Sequence, residues 1–109
     1  MIMDITTFSA LAEPTRIRIV ELLVGGPHSV GEIADKLAIR QPQASKHLHV
    51  LLAAGLVEVE ADRNRRNYKL RLEPFKELDA WIESYRGVWE DRFRNLDQYL
   101  QKLRSDQNE

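Results

Sequence analysis

Apolar residues recur along the chain at a helical period, switch to an alternating period, then return to the helical one. Ile2, Ile5, Phe8, Leu11 and Ala12 predict a short amphipathic first helix. Glu13-Pro14 ends it, because proline disfavours helix at the residue before it. Residues 15–24 carry Ile17, Ile19, Val20, Leu22 and Leu23, apolar nearly all round, which predicts a buried central helix stopped by Gly25-Gly26-Pro27. Val30, Ile33, Ala34 and Leu37 share one helical face, and Ser29 with Glu32 opens it at capping-box spacing. Another helix starts near Pro42, whose fixed φ and missing N–H suit a first turn. Its residues Ala44, Leu48 and Leu51 point inward, and Gly55 suits a left-handed cap after it. Residues 56–60 and 67–72 alternate as strands about the turn-forming Asp62 and Asn64. From about 74 to 104 the helical period resumes with Phe75, Leu78, Ile82, Tyr85 and Trp89, then Leu96, Tyr99, Leu100 and Leu103, interrupted by Arg92.

This order predicts a mainly α fold with a small β-hairpin, α-α-α-α-β-β-α, in one domain over residues 1–109. Two short helices joined by a tight turn, at about 29–55, with a polar and basic outer side on the second, form the layout of a DNA-reading helix-turn-helix. The hairpin at about 56–72 is its wing. A last helix of some thirty residues is a rod of roughly 45 Å, longer than a small domain is wide. One chain cannot cover its apolar stripe, and near-heptad spacing is better explained by a partner helix. The alternative is a helix folded back on its own core with a kink near Gly87.

Composition narrows the chemistry. Without cysteine, thiolate metal sites, disulfides and thiol switches are excluded. No apolar run approaches the roughly 20 residues that span a bilayer, and the first residues lack the basic and apolar segments of a secretory signal. A cytoplasmic protein with no membrane partner is expected. The formal net charge of −1 looks unpromising for nucleic acid, but residues 15–71 hold ten Lys and Arg against six Asp and Glu, and both flanks are net acidic. Placement of charge decides where an anionic polymer docks, and this placement puts a basic face on an acidic scaffold.

Candidate contacts to double-stranded DNA follow from the outer side of the second helix and from the hairpin. Gln41 and Gln43 can form bidentate bonds to adenine, and Ser45, Lys46 and His49 can reach base edges or phosphates. Arg63, Arg65 and Arg66 lie at or near the wing tip, where the alternative reading is a solvated turn. Arg16 is a candidate phosphate contact. His47 lies close to the inward face, as a buttress instead of a DNA contact. Enzymatic chemistry finds no Gly-rich phosphate loop, no H-E-x-x-H and no nucleophile group. His47 and His49 diverge on their helix, a poor arrangement for one metal. No catalytic residue, metal or cofactor is expected. The competing class is a winged-helix protein-interaction module without specific DNA binding.

Three segments together resemble the ArsR/SmtB family of winged-helix repressors: ALAEPTRIRIVELL at 10–23, VGEIADKL at 30–37 and QPQASKHLHVLLAAGLV at 41–57. The resemblance implies a symmetric dimer joined by the first and last helices, with Ile5, Phe8, Leu78, Trp81, Ile82, Tyr85, Trp89 and Leu96 at the interface. It also implies a repressor on an inverted-repeat operator. Metal-sensing members carry a cysteine pair where this chain has Ser29 and Gly31, and ligating histidines on the last helix where it has none. The resemblance is therefore to the autorepressor-like, non-metal branch, with sensing through other oxygen or nitrogen ligands left open and the effector unassigned. Arg40 stands at the usual Ser/Thr N-cap, losing a cap of ~1 kcal/mol and adding a cation near the phosphates. Asn64 stands where the wing usually has glycine, and asparagine tolerates the left-handed region.

Overall fold

The structure, a computed structural model, describes residues 4–107. Ile2 and the last tail residues, Asn108 and Glu109, lie outside the described residues. Five helices and three short strands follow in the order α1 Ile5–Leu11, α2 Pro14–Val24, β1 His28–Ser29, α3 Val30–Leu37, α4 Gln41–Ala53, β2 Val57–Asp62, β3 Arg65–Leu70 and α5 Leu72–Gln107.

Local chemistry sets these boundaries. Asp4 caps α1 by accepting from the Thr6 N–H, and Glu13 caps α2 by accepting from the Arg16 N–H at 2.8 Å. At α3 the capping box closes in both directions, with Ser29 Oγ accepting from Glu32 N–H and Glu32 Oε1 accepting from Ser29 N–H. Ala38 ends α3 in the left-handed region at φ 56°. Gly55 follows α4 at φ 75°, where an added Cβ would meet the Arg71 guanidinium at 3.2 Å, so glycine serves both conformation and space.

The core is the inner side of the helix-turn-helix closed over α2. Ile19 and Leu23 from α2, Ile33, Ala34 and Leu37 from α3, and Ala44, Leu48 and Leu51 from α4 meet Leu56 and Val57 at the start of the wing. Each fully buried leucine or isoleucine contributes about 1.5–3 kcal/mol. Val50, partly buried, packs against this cluster.

Three features differ from the sequence-based expectations. Only Ile19 and Leu23 of α2 are fully buried, while Ile17 and Val24 are exposed. The helix is covered by α1, α3, α4 and β3, and the side that carries Ile17 and Val24 stays exposed among the described residues. The hairpin gains a third strand, for β1 pairs with β3 (His28 with Tyr68, Ser29 with Asn67), giving the order β1-β3-β2. The wing turn is also tighter: the ladder runs out to Asp62 and Arg65, so Arg65 and Arg66 belong to β3 and only Arg63 and Asn64 turn. Positive φ falls on Arg63, at 57°, and not on Asn64. A two-residue hairpin that carries positive φ at its first central residue alone follows the II′ pattern, which matches the twist of the strands.

The last helix is continuous through Gly87 and spans 36 residues, about 54 Å. It gives the chain extents of 75 × 32 × 21 Å. Phe75 packs on the core and Leu78 is half-buried, but from Asp79 to Asp106 every residue is exposed. Trp81 meets Phe8 of α1 edge to face at 5.3 Å, and Tyr85 meets Trp81 likewise. Ile5, 80% exposed, stands on α1 with Phe8.

Candidate nucleic-acid interface

The inward pull of Ala44, Leu48 and Leu51 fixes the rotation of α4. The same rotation turns Gln41, Gln43, Ser45, Lys46 and His49 out to solvent, together with the N-cap Arg40. Among the described residues none of these six side chains is engaged by a hydrogen bond or ion pair within the chain. Arg40 supplies no side-chain cap, so the first N–H groups of α4 stay open at the end that carries Gln41 and Gln43. The result is a row of free donors and acceptors on a helix anchored by its opposite face, the geometry that reads base edges in a major groove.

Two arginines hold this helix pair in place. Arg18 donates to the Leu37 carbonyl at 3.2 Å and so satisfies the end of α3 before the turn. Arg16 donates from Nε to the Ala10 carbonyl and reaches the Ser9 carbonyl at 3.4 Å, tying down the end of α1. The same guanidinium stands 3.4 Å from His47 Nδ1, which is also 3.7 Å from Glu13 Oε2. His47 is thus a half-buried buttress on the inner shoulder of α4, and Arg16 is engaged with α1 and His47 inside the domain. The backbone N–H of Arg16, followed by the charges of His47 and Arg16, holds the Glu13 carboxyl below its ordinary range.

On the wing the three arginines have different settings. Arg63 and Arg66 are exposed and, among the described residues, unpaired. Arg65 points to the other face of the strand from Arg66 and pairs with Glu32 at 2.8 Å. Glu32 therefore serves the capping box and the wing at once. Its carboxyl is held below the ordinary glutamate range by the Ser29 N–H, then by the Ser29 hydroxyl and the Arg65 charge. Lys69 lies between Glu58 and Glu60, at 3.5 and 3.8 Å, and quiets the acidic edge of β2. Sequence reasoning missed Arg18, Ala38 and the Glu32–Arg65 tie. Each depends on a partner 16 or more positions away or on a backbone angle, which periodicity does not report, although the S-x-x-E spacing marked Glu32 itself.

Among the described residues no three His, Asp or Glu side chains come together to hold a metal ion, and no helix is long and apolar enough to cross a membrane.

A helix-turn-helix domain family matches residues 11–60. The chain is 46% identical over 63 residues to the HTH-type transcriptional regulator Rv2034 of Mycobacterium tuberculosis, a match covering 58% of this chain and 59% of that protein's length. The crystal structure of the ArsR family transcriptional regulator RHA00566 superposes with a TM-score of 0.66 at 32% identity, over 78% of this chain and 88% of that one. The homodimeric winged helix-turn-helix DNA-binding domain of Mb0332 from Mycobacterium bovis, described as a possible ArsR-family regulator, gives 0.63 at 30% identity, over 72% and 73%. At that identity and coverage of RHA00566 the chain belongs to the ArsR family of winged helix-turn-helix transcriptional regulators.

Proposed function

We propose that this chain is a transcriptional repressor that binds an inverted-repeat operator as a homodimer and excludes polymerase from its promoter. One winged-helix domain carries both the reading surface and the dimer seam. The observation that carries the reading is the row of unengaged polar side chains on α4, flanked by the free cations Arg63 and Arg66 of the wing. Each recognition helix enters a major groove, with half-sites about one helical turn apart. Gln41, Gln43, Ser45, Lys46 and His49 face the bases and nearby phosphates, and Arg40, Arg63 and Arg66 the backbone. Arg65 and Arg16 act one step back, Arg65 by setting the wing against α3 and Arg16 by seating α4. The similarity to a homodimeric DNA-binding domain supports the paired arrangement, as do the exposed apolar residues of α1 and α5.

Sites selected from random double-stranded DNA by the purified protein supply the operator for the test. On that operator Gln43→Ala and Lys46→Ala each weaken binding by about 1–3 kcal/mol if the side chain reads a base. Footprints identical to wild type for both variants would remove α4 from the reading role.

A further inference from the structure

One nitrogen of His47 faces two opposite charges. Its Nδ1 lies 3.4 Å from the Arg16 guanidinium and 3.7 Å from Glu13 Oε2, on a side chain only 13% exposed. A guanidinium only donates, so the contact with Arg16 needs a lone pair on Nδ1 and leaves the proton of the neutral ring on Nε2. A further proton can then enter only at Nδ1, where it meets Arg16 as a repelling cation and Glu13 as an acceptor. Glu13 is ready for it, because the Arg16 N–H holds its carboxyl below the ordinary glutamate range.

We infer that His47 is a positioning residue for DNA reading: neutral and seated on Arg16, its ring holds α4 in the reading pose, and a proton on Nδ1 moves it toward Glu13 and releases that pose. The inference rests on the operator-binding reading above and adds a condition to it. Arg16 cannot follow the ring, since its Nε donates to the Ala10 carbonyl and its second amino group reaches the Ser9 carbonyl. Glu13 is held as well, by accepting the Arg16 N–H at 2.8 Å. Both partners of Nδ1 are therefore fixed to α1 and α2, while the ring that chooses between them stands on α4. It is next to Lys46 and two residues from Ser45 and His49. Hydrogen bonds to base edges depend on the placement of such side chains, so a shift of the helix shoulder weakens reading.

Among the described residues the other charged groups around α4 are engaged elsewhere or turned outward. The seven residues of α1 carry no charge. On α2, Arg18 is bonded to the Leu37 carbonyl and Glu21 is exposed. On α3, Glu32 is tied to Ser29 and Arg65, and Asp35 and Lys36 are exposed. On β2, Glu58 and Glu60 flank Lys69. Lys46 and His49 of α4 itself are exposed, and His28 Nδ1 is bonded to the Gly26 carbonyl at 2.8 Å. The sign of the effect follows from the geometry. The released form takes up a proton that the reading pose excludes, so operator binding weakens as pH falls. Simple charge works the other way, because protons added near the DNA strengthen attraction to phosphate.

Nitrogen NMR of the histidine-labelled full chain reads the tautomer directly, with His47 assigned by the signals lost in His28→Gln and His49→Gln. At about pH 8 the His47 proton is expected on Nε2, with Nδ1 bare. Binding to the operator selected from random DNA, followed by anisotropy, weakens several-fold between about pH 8 and about pH 6, within the span where histidines change charge. His47→Gln offers Arg16 an acceptor that takes no proton, and this fall is lost. Glu13→Gln keeps an acceptor for the Arg16 N–H but gives the proton a weaker partner, so the fall moves to lower pH. His49→Gln keeps the fall. A proton on Nδ1 at about pH 8, one profile shared by wild type and His47→Gln, an unmoved fall in Glu13→Gln, or its loss in His49→Gln overturns the proposal. The tautomer and the Glu13→Gln profile need no change at His47, and so decide the matter even where His47→Gln fails to fold. Operator binding with one profile in wild type and His47→Gln refutes the proton dependence alone. The expected tautomer in a protein that binds no DNA at any pH refutes the repressor reading alone.

Discussion

Ala38 turns the chain between α3 and α4 at φ 56° with a methyl group that the left-handed region disfavours. Arg18 takes the carbonyl of Leu37 just before it. Ala38→Gly therefore relieves backbone strain at no cost in contacts and is expected to stabilise the fold by up to about 1 kcal/mol, measured by urea unfolding; a loss of stability would mean the angle is not strained. Single positions were legible in the sequence to the extent that their partners were local. Ser29 and Glu32 announce themselves because both halves of the capping box lie within four residues. Arg16 announces a cation but not its fate, because the Ser9 and Ala10 carbonyls and His47 come within reach only after α1, α2 and α4 have packed. Asn64 looks like the left-handed residue of the wing by type, yet the twist of the two strands places that angle on Arg63.

Among the elements, α5 was the most legible and β1 the least. A three-four repeat over some thirty residues has no strand interpretation, so the long helix follows from spacing alone. Two residues of β1 offer no period, and their strand exists because β3 lends them hydrogen bonds. The apolar ring of α2 predicted full burial, while one chain supplies cover for only part of it. Gly87 illustrates how geometry settles what composition leaves open. It lies in mid-helix with nothing within 4 Å of an added Cβ, on the side of α5 away from Trp89 and Tyr85. Gly87→Ala is expected to stabilise the protein by about 0.5–1 kcal/mol through helix propensity, read as a higher midpoint of thermal unfolding. A destabilised variant would place a partner surface against that outer side.

At the scale of the whole molecule, charge and shape divide the labour. The ten basic residues of 15–71 do not all stand free. Arg16, Arg18, Arg65, Lys69 and Arg71 are engaged with carbonyls or carboxylates of the domain. What remains for a phosphate chain is a smaller set, including Arg40, Lys46, Arg63 and Arg66. Replacing Arg63 and Arg66 by glutamine should lower the salt slope of operator binding by about one for each phosphate contact removed. Glutamine in place of Arg65 should move the slope less, because its guanidinium is held by Glu32. Equal slopes for the wild type and the Arg63/Arg66 variant would return the wing tip to the role of a solvated turn.

One joint in this body carries more than its size suggests. With seven residues, α1 has too few internal hydrogen bonds to persist alone, so its position is imposed from outside, by the core around Ala10, by Trp81 against Phe8 and by Arg16 at its end. The same guanidinium leans on His47 in the second turn of α4. The exposed apolar face of α1 and α5 and the polar row of α4 are thus joined at Arg16. A displacement of α1 therefore bears on α4 along two routes, through the Arg16 guanidinium and through Ala10 in the core.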